Sequence, residues 1–169
     1  MKNKSKSFYF FRIFLLLSII LNAFILINAF IPGDESAATS FWVADIFATV
    51  INLFKANTID IDNMMTFSYF VRKLVGHFGL FLCDGIFIGI TFYVYSSINH
   101  KPNFWFSTLF ILLMGAFFAS VSETIQIFIP GRVGSINDFL IDLGGYLLAL
   151  IVLFLILLLK QSKKKSSQI

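Results

Sequence analysis

The 169-residue chain has little charge, little proline and almost no cysteine. Only 13% of its residues are charged, where a soluble domain carries about 25%. The single cysteine, Cys83, excludes an intrachain disulfide, and no cysteine and histidine stand at metal-ligand spacing. No metal, no cofactor and no nucleic-acid partner is expected from the spacing. The alternating pattern of a membrane β-barrel is absent as well. What is abundant is apolar: 58% hydrophobic and 18% aromatic residues, with a mean hydropathy of +0.87. Several apolar runs reach the roughly 20 residues that cross a bilayer as a helix. The expectation is an all-α integral membrane protein in one domain, residues 1–169.

Four spans are expected, at about 8–31, 67–95, 104–129 and 136–159. The first is too long for a signal-peptide core and lacks a good cleavage site, so it reads as uncleaved. Residues 32–66 read as an outer loop with five carboxylates, Asp34, Glu35, Asp45, Asp60 and Asp62. Within that loop, residues 41–54 are apolar but too short to cross. With Asp45, Thr49 and Asn52 on one face, they read as an interfacial or re-entrant helix, or equally as a helix packed on the bundle, with Ser40 a candidate N-cap. A polar break is expected at 96–103. Ser135 followed by Asp138 fits a capping box at the start of the last span.

Lysine and arginine set the orientation. Four spans put both termini on one side, which receives Lys2, Lys4, Lys6, Arg12, Lys101, Lys160, Lys163, Lys164 and Lys165. The other side receives Lys55, Arg72, Lys73 and Arg132. Cytoplasmic termini in the cell membrane follow. Three distant stretches then deliver polar residues to one outer depth: Arg72, Lys73 and His77; Glu123, Gln126 and Arg132; Asp138 and Asp142. Charges at that depth cost several kcal/mol each unless paired or wet, so such a gathering points to use.

Individually, Arg72, Lys73 and Arg132 suit an anion, with snorkelling or ion pairing as the plainer alternatives. Glu123 is the strongest candidate, and with His77 it forms a candidate acid–base pair. Gln126 can orient Glu123, Asp138 reads as a helix cap, and Asp142 lies one turn deeper. Asp84 is a candidate partner for His77.

The runs Arg-Lys-x-x-x-His-Phe at 72–78, Glu-x-x-Gln-x-x-x-Pro-x-Arg at 123–132 and Asp-x-x-x-Asp-x-x-Gly at 138–145 resemble the VanZ-like family. These are small multi-span membrane proteins of mainly Gram-positive bacteria, whose founding member is associated with low-level teicoplanin resistance. The family often has two residues, rather than three, between the lysine and the histidine. The resemblance implies a cell-envelope protein affecting glycopeptide susceptibility. Its outer site would bind a lipid headgroup, a cell-wall precursor or a glycopeptide. The alternatives are an intramembrane acid–base enzyme on an envelope lipid, with a carboxylate-bound divalent cation as a variant, and a small proton-coupled transporter.

Overall fold

The computed structural model describes residues 2–99 and 104–166, with side chains over 6–98 and 105–159. It is all-helical, with no strand among the described residues. The helices are α1 (Lys2–Ala29), α2 (Gly33–Phe54), α3 (Met64–Val71), α4 (Leu80–Asn99), α5 (Phe104–Ile127) and α6 (Ile136–Ser166). A π-helical segment, Arg72–Gly79, joins α3 to α4 without a break. Of the expected polar break at 96–103, residues 96–99 continue α4 as helix, and His100–Asn103 lies outside the described residues.

Burial runs opposite to that of a soluble protein. Asp84, Gln126, Asp142 and Glu123 are inside, while Leu16, Ile20, Leu113, Phe117 and Leu155 face outward. A solvent that accepts leucine and rejects carboxylate is a lipid one. Five helical stretches are long and apolar enough to cross a membrane: 6–29, 33–54, 64–98, 105–127 and 136–159.

Helix directions follow from pairs of residues in contact. Ser18 meets Asp84, and Phe14 meets Phe87, so α1 runs antiparallel to α4. Lys73 meets Asp138, His77 meets Asp142 and Phe81 meets Tyr146. These rungs step by four on both sides, so the π–α4 helix and α6 run parallel. Helix α5 runs back antiparallel to both, with Phe92 against Phe110. The first and last helical residues therefore lie at one end of the bundle, and Ala29, Ile127 and Ile136 lie at the other. Ile25, Phe81, Ile88, Ile111, Ala119 and Tyr146 fill the core.

Helix α2 departs from the sequence reading. Residues 32–66 are not a loop with a short helix at 41–54. The helix begins at Gly33 and has 22 residues, about 33 Å. Pro32 has φ −53° just before it, and Asp34 and Glu35 lie in its first turn, where carboxylates favour a helix start. Ser40 is mid-helix and not a cap; its hydroxyl donates to Ser36 O at 2.8 Å. The start of α2 docks on the α5–α6 turn, where Gly33 N–H donates to Pro130 O at 2.9 Å. The contact needs glycine twice. A Cβ on Gly33 would collide with Gly131 O, and Gly131 has φ +71°. Further along, Ala44 and Ala48 pack with Met64 and Val71 of α3.

Candidate functional site

Gly145 lets α6 approach the helix that carries His77. A Cβ there would lie 2.5 Å from Phe78 O. That closeness sets two acids of α6, four residues apart, against two basic residues of the π segment. Lys73 Nζ donates to Asp138 Oδ1. His77 Nδ1 lies 3.1 Å from Asp142 Oδ1, and its Nε2 lies 3.9 Å from Asp138 Oδ2. From α5, Glu123 Oε1 lies 3.9 Å from His77 Nδ1. The i→i+5 bonding of the π segment takes one extra residue into the turn. The segment, Arg72–Gly79, contains all three residues between Lys73 and His77.

Glu123 also closes the α5–α6 turn. Its Oε2 accepts from Ser135 N–H at 2.7 Å. The capping box expected from Ser135 and Asp138 is half as read. Asp138 N–H donates to Ser135 Oγ at 3.4 Å, but its carboxylate goes to Lys73, and the return bond to the cap backbone comes from Glu123. Gln126 Nε2 donates to Glu123 Oε1 at 3.4 Å, which orients the pair as expected.

Beside this cluster lies a cavity of about 280 Å³. Phe24, Ile25 and Ala29 of α1, with Leu80 and Phe81, form its apolar wall, and Ser36, Thr39, Ser40 and Val43 of α2 line another side. Arg72, His77, Ser122, Gln126 and Arg132 supply its polar lining. Lys73, Glu123, Asp138 and Asp142 are not among its lining residues. The eight expected site residues thus divide into a cavity lining and a carboxylate group behind it. Arg132 Nη1 donates to Ser36 Oγ, and Arg132 Nε is buried with no hydrogen-bond partner. Among the described residues, neither Arg72 nor Arg132 has a carboxylate within ion-pair distance. Burial, then the like charge of Arg72, lowers the Arg132 pKa from its ordinary value, and Glu123 opposes the shift.

Asp84 does not pair with His77. It is fully buried one layer deeper, where Ser18 donates to it at 2.6 Å, Asn22 at 2.8 Å, and Tyr146 donates to its second oxygen. Spacing offered a signal for this node, since Ser18 and Asn22 are polar residues four apart in the first apolar run. Ser36, Thr39 and Ser40 were missed because their segment read as loop. Pro32 followed by two acids was the available sign of a helix start.

No curated protein and no solved structure matches this chain. The VanZ/LLP1 family model matches residues 14–158, and the chain belongs to that family.

Proposed function

We propose that the protein is a membrane receptor for an anionic, phosphate-bearing amphiphile, a phospholipid or lipid-linked cell-wall precursor, held at the outer end of its bundle. Arg72 and Arg132 grip the phosphate, Gln126 and the α2 hydroxyls bond the rest of the headgroup, and the α1 wall takes the first carbons. The observation that carries this reading is the partnerless Arg132 Nε beside a second guanidinium in a mostly apolar cavity. Two half-buried guanidiniums without an ion-pair carboxylate suit an anion between them. At about 280 Å³ the cavity is at the small end of ligand sites, about 300–1,000 Å³, and holds a headgroup rather than a whole lipid. Occupancy by an envelope lipid is the route by which the protein would alter teicoplanin susceptibility.

The same reading makes α1, α3–α4, α5 and α6 the crossing helices, with cytoplasmic termini in the cell membrane, and α2 a lid across the outer mouth. Both anchors of α2, the Pro130 turn and α3, belong to one end of the bundle. The stretch 64–98 is about 52 Å long, well beyond a hydrocarbon core of about 30 Å, which leaves α3 standing above it beside α2. Cysteines introduced at Thr58 and Val133 of a Cys83→Ser protein should then be labelled from the same, outer side. Labelling from opposite sides would mean that α2 crosses.

The binding test uses purified protein with phosphatidylglycerol and phosphatidylcholine. Arg132→Ala should weaken phosphatidylglycerol binding by about 10–100-fold, the worth of one lost hydrogen bond to a charged group. Unchanged binding in Arg132→Ala and Arg72→Ala proteins sinks the reading. A second reading, acid–base chemistry on the bound lipid, is favoured by the 3.1 Å contact between His77 and Asp142. It requires His77→Ala to abolish function while lipid binding persists.

A further inference from the structure

Behind the cavity wall, two buried carboxylates share one imidazole. Lys73, on the same segment as His77, is taken by Asp138, and Arg132 is not within ion-pair distance of either carboxylate. His77, Glu123 and Asp142 each offer a ligand atom, and these atoms lie within 4.8 Å of one another. From His77 Nδ1 the separations are 3.1 Å to Asp142 and 3.9 Å to Glu123. Donors around one cation with bonds of about 2.0–2.2 Å stand about 3–4 Å apart, so these positions need little closure.

Two further atoms point to a missing partner at the same place. Asp142 Oδ2 is buried with no hydrogen-bond partner, on a residue with no exposed surface. Gln126 Oε1 is also buried and partnerless, on a residue only 2% exposed whose amide lies against Glu123. Leaving such groups unpaired costs about 1–3 kcal/mol each, so they mark a guest rather than idle packing. The far nitrogen of His77 faces Asp138, the outer-shell arrangement that orients metal-bound histidines.

We propose that His77, Glu123 and Asp142 bind a divalent transition ion of the zinc or manganese type. One nitrogen with two carboxylates suits such an ion better than magnesium or calcium, which seek all-oxygen shells. Three protein ligands leave positions open, and His77 belongs both to the ligand set and to the cavity lining. The ion site stands on the three ligands and two partnerless oxygens, not on the headgroup reading.

The test is metal binding by the full chain in detergent, without lipid. After chelator treatment and removal of the chelator, Zn²⁺ or Mn²⁺ is titrated and bound metal measured by elemental analysis. Saturable binding of one ion per chain is expected, with Mg²⁺ and Ca²⁺ competing poorly. Asp142→Asn and Glu123→Gln should each lower affinity by about 100-fold or more, since even outer-shell losses cost about 10–100-fold. Arg132→Ala should bind metal as the unaltered protein does while losing phosphatidylglycerol, which separates the two proposals. The spectrum of Mn²⁺ bound to unaltered protein needs no variant. A signal of fully hydrated ion, no saturable binding, or unchanged affinity in the Asp142 and Glu123 variants each overturns the site.

Discussion

Two buried polar clusters, centred on His77 and Asp84, sit about two helical turns apart in this bundle, and they are built on different terms. Around Asp84, three donors from α1 and α6 satisfy both carboxylate oxygens without a charged partner, and Asn22 Oδ1 is left unbonded. Around His77, five titratable side chains converge, yet Asp142 Oδ2, Gln126 Oε1 and Arg132 Nε have no partner. A hydrogen bond made inside the bundle ties helices together. A buried polar atom left without one is a cost that a ligand can remove. The deeper cluster ties helices together through its bonded carboxylate, and the His77 cluster, with three partnerless atoms against one, is where we propose that a ligand binds.

The contrast is open to direct attack. The largest effect should come from Asp84→Ala, which strands three donors at about 1–3 kcal/mol each. A loss of about 4 kcal/mol is expected in unfolding measured in detergent, with lipid and metal binding intact in the protein that remains folded. Loss of binding at full stability would break the comparison.

Lys73→Met should cost about 3 kcal/mol, because it takes the lysine partner from the buried Asp138 carboxylate. Adding Asp138→Asn should restore most of that stability. A double variant no better than the single one would mean that the pair is not what holds this edge together. Arg132→Ala should do the reverse: stability within about 0.5 kcal/mol of the parent, against the 10–100-fold binding loss given above. A large fall in thermal midpoint would move Arg132 from the binding region to the bonds that tie helices together. The smallest effect on the rest of the bundle is expected from Gly33→Ala. The added Cβ meets the Gly131 backbone, so the start of α2 must undock, read as faster hydrogen exchange at 33–40 while the Asp84 layer stays protected.

Much of the outer cluster was legible along the chain. Once helical spacing and chain direction were combined, Arg72 to His77, Glu123 to Arg132 and Asp138 to Asp142 converged without any coordinate. The matching four-residue steps of Lys73–His77 and Asp138–Asp142 were also in plain view. Their pairing as parallel rungs was not, because it depends on how closely Gly145 lets two helices approach. Asp84 was assigned the wrong partner for a related reason. Its face was clear from spacing, but which helix lay against that face was not.

Composition and apolar run lengths alone determined that this chain is helical and made for lipid, since few charges and long runs permit little else. Lysine and arginine positions predicted which polar residues share a depth. Only the tertiary structure decided that Pro32-Gly33-Asp34-Glu35 starts a helix instead of closing one, because the Pro130–Gly131 turn that anchors it lies some 100 residues away. It likewise decided which buried acids are satisfied and which are not. That depends on whether a hydrogen bond closes over a few ångströms between distant segments, a distance that no one-dimensional pattern records.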